Sequence, residues 1–230
     1  MSFATRTTTT LLRPSRLLIT SASRTTPITG RLFSSTAVSM VRISEAIKKD
    51  HDDLREAHRR ILDATTHDEK VRWRNQFTWE LARHSIGEEL VVYPAFEEHL
   101  ENGKAMADHD RAEHQTVKEE LAKFENLDPE DPKFSSTLDN LWANLDKHMA
   151  DEEANDMPAL DSALGSEAHS DKLVRSFSRT KKFLPTHSHP NAPDQPPFET
   201  AVGLLAAPID HIRDLFRKFP EDAKTGELPP

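Results

Sequence analysis

From Ile43 onward, apolar positions recur at intervals of three, four and seven, the period of an amphipathic helix. A first helix, with Ser44 as its cap, carries the stripe Ile47, Leu54, Ile61. A second is expected from about Glu69 to Leu100, with Phe77, Leu81, His84, Glu88, Val91 and Ala95 on one side. Pro94 should kink or break it near its end. The stretch "ENGK", with Gly103 as turn residue, leads into a third helix over roughly Lys104 to Asn126. Its stripe is Met106, Asp110, His114, Val117, Leu121 and Phe124. The turn "LDPEDPK" places Asp131 as N-cap and Pro132 at the first position of a fourth helix. That helix carries Phe134, Leu138, Leu141, Leu145, His148 and Glu152, and Pro158 limits it to about Met157. Four long amphipathic helices with short connections specify an all-α, antiparallel up-down-up-down four-helix bundle over residues 43–160.

The stripes are interrupted by polar residues where a bundle core wants apolar ones. These are His51, His84 with Glu88, Asp110 with His114, and His148 with Glu152. His58 falls on the first stripe as well. A histidine and a glutamate four residues apart share a helix face. In antiparallel order, early positions on helices one and three lie level with late positions on helices two and four. His51, His84 with Glu88, His114 and His148 with Glu152 should therefore coincide in depth to within about a turn or two, with His58 two turns beyond His51. Buried carboxylates are costly unless partnered, and a cation held by neutral imidazoles and carboxylates removes that cost.

Composition narrows the chemistry of such a site. The 230 residues contain twelve histidines and no cysteine, which leaves nitrogen and oxygen donors only and excludes disulfides, thiolate metal sites and thiol catalysis. Residues 1–44 hold six arginines and no acid. Without those six, 24 basic residues face 39 acidic ones, a balance of −15. A body so acidic does not attract nucleic-acid phosphates. Residues 1–40, rich in Arg, Ser and Thr, have the composition of a mitochondrial transit peptide, with "RLFSS" placing cleavage near Phe33 and the mature protein in the matrix.

Residues 161–230 read as a C-terminal helical extension. A helix over 165–184 has Ser166 as cap and Leu173, Val174 and Phe177 inward. A Pro-rich linker over 185–197 contains His187 and His189, read as solvated. A short amphipathic segment then gathers Ile209, Ile212, Leu215, Phe216 and Phe219 on one side, expected to pack back on the bundle. The alternative is a peripheral membrane or protein contact through 208–219, favoured by Arg213, Arg217 and Lys218.

The ordered set "DHDDLR", "RHSIGEE", "AEHQTVKEEL" and "KHMADEE" resembles the haemerythrin-like, or HHE cation-binding, family. The resemblance implies a non-haem iron site, usually of two irons bridged by carboxylates, with Glu88 and Glu152 bridging and His51, His84, His114 and His148 as terminal ligands. It departs from the oxygen-carrying members at helix three, where Asp110 stands in place of a second histidine. Asp110 and His58 are the further candidate ligands. His109, about 140° round the helix from His114, should lie outside the site. Glu89 and Glu153, about 100° off their stripes, should face solvent. With fewer nitrogens, the site suits manganese or zinc as alternatives to iron. Together with the transit-like composition of residues 1–40, the resemblance leads to the expectation of a mitochondrial diiron protein that binds or senses oxygen, nitric oxide or peroxide, or buffers iron. A diiron oxidase or peroxidase-like enzyme and a metal-free helical scaffold are the competing readings.

Overall fold

The structure, a computed structural model, describes residue 1, residues 41–192 and residues 198–221, with the backbone alone over 198–205. The expected transit peptide, its cleavage point and the end of the Pro-rich segment lie outside the described residues. No strand occurs among the described residues, and no helix there is long and apolar enough to cross a membrane.

Helix α1 spans Ile43–Asp63 and α2 spans His67–Gly87. α2 passes through a π turn at Glu88–Val92 into α3, Tyr93–His99. α4 covers Gly103–Phe124. α5, Phe134–Asp151, continues through a second π turn at Glu152–Asp156 into α6, Met157–Leu164. The two prolines thus break neither helix. The wider turn before Pro94 and before Pro158 gives each ring the room that a straight α-helix denies it. The fourth helix of the bundle therefore runs on past Met157. The π turn also shifts the inward face, so Val92 and Phe96 are fully buried beside the expected Ala95, and Val91 is only half-buried.

Two helix starts differ from expectation. Ser44 lies inside α1 and its hydroxyl donates to Asp161. The N-cap is Arg42, whose backbone N–H donates to the Glu45 carboxylate at 3.2 Å. Asp131 and Pro132 form a turn ahead of α5, where Asp131 Oδ1 accepts the Lys133 N–H at 2.8 Å. At the start of α4, Gly103 is required by close approach. A Cβ there would stand 1.8 Å from the Phe96 carbonyl oxygen.

The core has two apolar halves. One joins late α1 (Leu54, Ala57, Ile61) to early α2 (Trp73, Phe77, Leu81), late α4 (Val117, Leu121, Phe124) and early α5 (Phe134, Leu138, Leu141, Leu145). The other joins Ile43 and Ile47 to Val92, Tyr93 and Phe96, to Ala107, and to Met157 and Leu160. This late–early and early–late pairing is that of an antiparallel four-helix bundle. The polar layer lies between the halves, sealed from water on both sides.

α7, Glu167–Lys181, is capped by Ser166, whose side chain accepts the His169 N–H. It presses Phe177 onto the second half at Gly87, where a Cβ would meet the ring at 2.8 Å. The stretch that follows is not a solvated linker over its described part. His187 is buried, with Nδ1 3.2 Å from Glu125 and Nε2 3.2 Å from Asp214. α8, Phe198–Asp214, is oriented opposite to the expected way. Asp210 and Asp214 face inward, while Ile209, Ile212, Leu215 and Phe216 are exposed. The reason is that His189, His187 and Thr186 engage those two carboxylates, which fixes the helix by its polar side.

Candidate metal centre

Each of the four bundle helices delivers one histidine to the layer between the apolar halves: His51 from α1, His84 from α2, His114 from α4 and His148 from α5. All four are buried, and Glu88 and Glu152 are fully so. Glu88 Oε2 lies 3.2 Å from His84 Nε2 and 3.5 Å from His114 Nε2. Glu152 Oε2 lies 3.5 Å from His51 Nε2 and 3.6 Å from His148 Nε2. Each glutamate thus spans the histidine of its own helix and one from a neighbour. The donors fall into two groups that share Glu88: His51, His84, Glu88 and Glu152 in one, and Glu88, His114 and His148 in the other. The imidazoles pair edge to face, His51 with His84 at 4.9 Å and His114 with His148 at 4.6 Å between centroids.

The other two candidate ligands stand apart. His58 stacks flat on Trp142 at 3.8 Å, half-buried and two turns from the centre. Asp110 is buried beside the centre but in neither donor group. It gathers instead with the exposed His109 and with Glu113.

Behind the inner residues runs a ring of carboxylates not foreseen from the stripes. Each histidine turns its Nδ1 to an acid on another helix. Glu153 is 2.9 Å from His51, Glu89 is 3.2 Å from His114, Glu113 is 3.0 Å from His148, and Asp50 is 3.5 Å from His84. The ring closes, because α1 serves the histidine of α2, the α2 π turn serves α4, α4 serves α5, and the α5 π turn serves α1. Every acid is backed by a cation: Asp50 by Lys181 at 2.5 Å, Glu89 by Lys118 at 2.9 Å, Glu113 by Lys147 at 2.7 Å and Glu153 by Arg55 at 2.8 Å. An Nδ1–H held by a carboxylate fixes the tautomer and leaves the Nε2 lone pair inward.

Glu89 and Glu153 therefore do not face solvent as the α period implied. Glu89 is fully buried, and the Glu153 side chain is 22% exposed. Both sit in π turns, whose extra residue per turn rotates them toward the neighbouring helix. Two signals in the chain pointed here. Acids directly precede His51 and His114. The stretches "HSIGEELVVYP" and "HMADEEANDMP" repeat one pattern: a histidine, a glutamate pair four residues on, and a proline six residues after the first glutamate.

The charges conflict in the bare protein. Burial, then the charge of Glu152, pushes Glu88 well above the ordinary carboxyl range. Burial acts on Glu152 too, but His148, His51 and His114 outweigh it and hold that carboxyl far below the usual range. Burial takes His84 down to about 4 and also lowers His114. In His51 the pull of Glu152 and Glu153 outweighs burial and raises it. Burial, with Glu152, Asp156 and Glu113 nearby, lifts Asp110 to about 8.

A cation fits this arrangement. The Nε2 atoms of His51, His84 and His148, both oxygens of Glu88 and Oε2 of Glu152 are buried with no hydrogen-bond partner. Each such atom costs about 1–3 kcal/mol unsatisfied. Imidazole nitrogens and carboxylate oxygens form the donor set that iron, manganese and zinc accept.

Comparison with known proteins agrees with the geometry. The hemerythrin HHE cation binding domain matches residues 42–160. An uncharacterized hemerythrin-like protein of Schizosaccharomyces pombe is 54% identical over 182 residues, covering 79% of this chain and 89% of the relative. No solved structure matches the chain.

Proposed function

This chain belongs to the hemerythrin HHE cation-binding family, and from that premise we propose that it is a mitochondrial non-haem diiron protein that binds or senses oxygen, nitric oxide or peroxide, or buffers iron. The observation that carries the reading is the pair of donor groups joined through Glu88, with inward donor atoms that no protein group satisfies. His51 and His84 would hold one ion and His114 and His148 the other. Glu88 and Glu152 would lie across both and balance the positive charge. Bound iron supplies redox and small-ligand chemistry, and the chain orients the donors and keeps water away. Burial of the whole layer between two apolar clusters favours a diatomic or peroxide ligand over a larger one. Manganese or zinc would use the same donors. The transit-like composition of residues 1–40 supports the mitochondrial setting.

The test is the iron-to-protein ratio of the purified chain beside Glu88→Ala and Glu152→Ala, prepared identically. About two irons per chain are expected, falling to one or none in either variant. A chain that takes up no iron, or variants that keep both ions, would overturn the reading.

A further inference from the structure

With Glu88 and Glu152 across both ions, each ion would have two histidines and the two shared glutamates, four protein donors in all. Beside His114 a further oxygen stands close. Tyr93, fully buried, places its Oη 3.0 Å from His114 Nε2 and 3.4 Å from Glu152 Oε1. Adjacent donors on one ion with bonds of about 2.1 Å lie about 3 Å apart, so the phenol oxygen stands where a further ligand would stand. The first π turn puts it there. Tyr93 is five residues after Glu88, and five residues of regular α-helix would turn it about 140° away. Its N–H instead donates to the Glu88 carbonyl, closing the wider turn and bringing the phenol back over the glutamate's face.

The second half of the chain repeats the backbone but not the donor. Met157 closes the other π turn on the Glu152 carbonyl and is equally buried, with a soft thioether in place of an oxygen. An extra oxygen donor is thus present on one side only, beside His114.

We propose that Tyr93 is a protein ligand of the ion held by His114 and His148, bound through its phenolate oxygen to iron(III). This assignment rests on the iron-binding reading above. The phenol O–H bond breaks, the oxygen–iron bond forms, the proton passes to solvent, and no oxidation state changes. The opposing account gives Tyr93 a hydrogen bond to His114 and a place in the core, with no bond to the ion.

Tyr93 is the one tyrosine of the chain, so any phenolate signal belongs to it. The full-length chain and Tyr93→Phe, loaded with iron(III) in parallel, are compared by iron content, visible absorption and resonance Raman. The chain should show a broad visible charge-transfer band whose excitation enhances phenolate ring vibrations, and Tyr93→Phe should lack both. Iron uptake without phenolate vibrations, or an unchanged spectrum in Tyr93→Phe, overturns the ligand assignment and leaves the iron site standing. No iron uptake overturns both. A second measurement needs no variant. Gallium(III), which is colourless, titrated into the chelated chain should raise near-ultraviolet phenolate absorption in step with binding, and binding without that rise overturns the assignment.

Discussion

Lys118→Met tests whether the outer ring carries the energy of buried pairs. The Lys118 side chain is 9% exposed, its Nζ lies 2.9 Å and 3.0 Å from the two oxygens of Glu89, and Glu89 is wholly buried. Methionine keeps most of the stem's volume, so the change removes the charge and little packing. Removing one partner of a buried pair costs about 3–5 kcal/mol, since the remaining charge is left in the interior. Escape by protonation caps the loss. An ordinary glutamic acid titrates near pH 4.3, so keeping one neutral at pH 7 costs about 3.7 kcal/mol. A loss of about 3 kcal/mol is therefore expected, or roughly 6–12 °C in Tm for a chain of this size. Urea unfolding of the chelated protein at neutral pH measures it without a contribution from metal release. Lys49→Met is the control. Its pair with Asp53 is as short, at 2.5 Å, but the lysine is 57% exposed, and the loss should stay below about 1 kcal/mol. Equal small losses in both variants would show that burial does not govern the ring.

Chelating the iron-loaded protein should lower Tm, because metal that binds only the folded chain at a hundredfold excess over Kd stabilises it by about 2.7 kcal/mol; an unchanged melt counts against a core site. Glu153→Ala should retain iron yet weaken its affinity about 10–100-fold in chelator competition, since His51 loses the partner that orients it; undiminished affinity would remove the outer acids from the site. His187 is raised to about 9, Asp214 and Glu125 together outweighing burial. A raised histidine stabilises fully below its unfolded value of about 6.5 and ceases to as pH rises through about 9. Proteolysis of the segment after Lys181 should therefore accelerate across that window, and His187→Gln should abolish the pH dependence. Deleting residues 1–40 should leave the bundle folded and iron-loaded but in the cytosol, and continued import of the truncated chain would refute the targeting reading.

The bundle and the buried histidines and glutamates of its centre were legible because both depend on local period alone. Apolar steps of three and four mark a face wherever 3.6 residues make a turn, and His84 with Glu88, or His148 with Glu152, must then share that face. Antiparallel order set the four histidines level without knowledge of any contact. His58 shows the limit of that argument. It lies on the right stripe, yet Trp142 from another helix takes up its ring two turns from the centre.

What the period could not supply, the tertiary structure decided. The π turns rotate Glu89, Glu153 and Tyr93 inward by one extra residue each, a shift that no single-helix pattern contains, and there they meet His114, His51 and His114 in turn. The carboxylate ring pairs acids with histidines from different helices, so Asp50 serves His84 and not its neighbour His51. α8 shows the same rule most plainly. Its apolar stripe argued for packing inward, but two aspartates that meet buried or half-buried histidines across the fold outweigh it and turn that stripe to solvent. Periodicity reports which side of an element is apolar, and the partner waiting across the interface decides which side is buried.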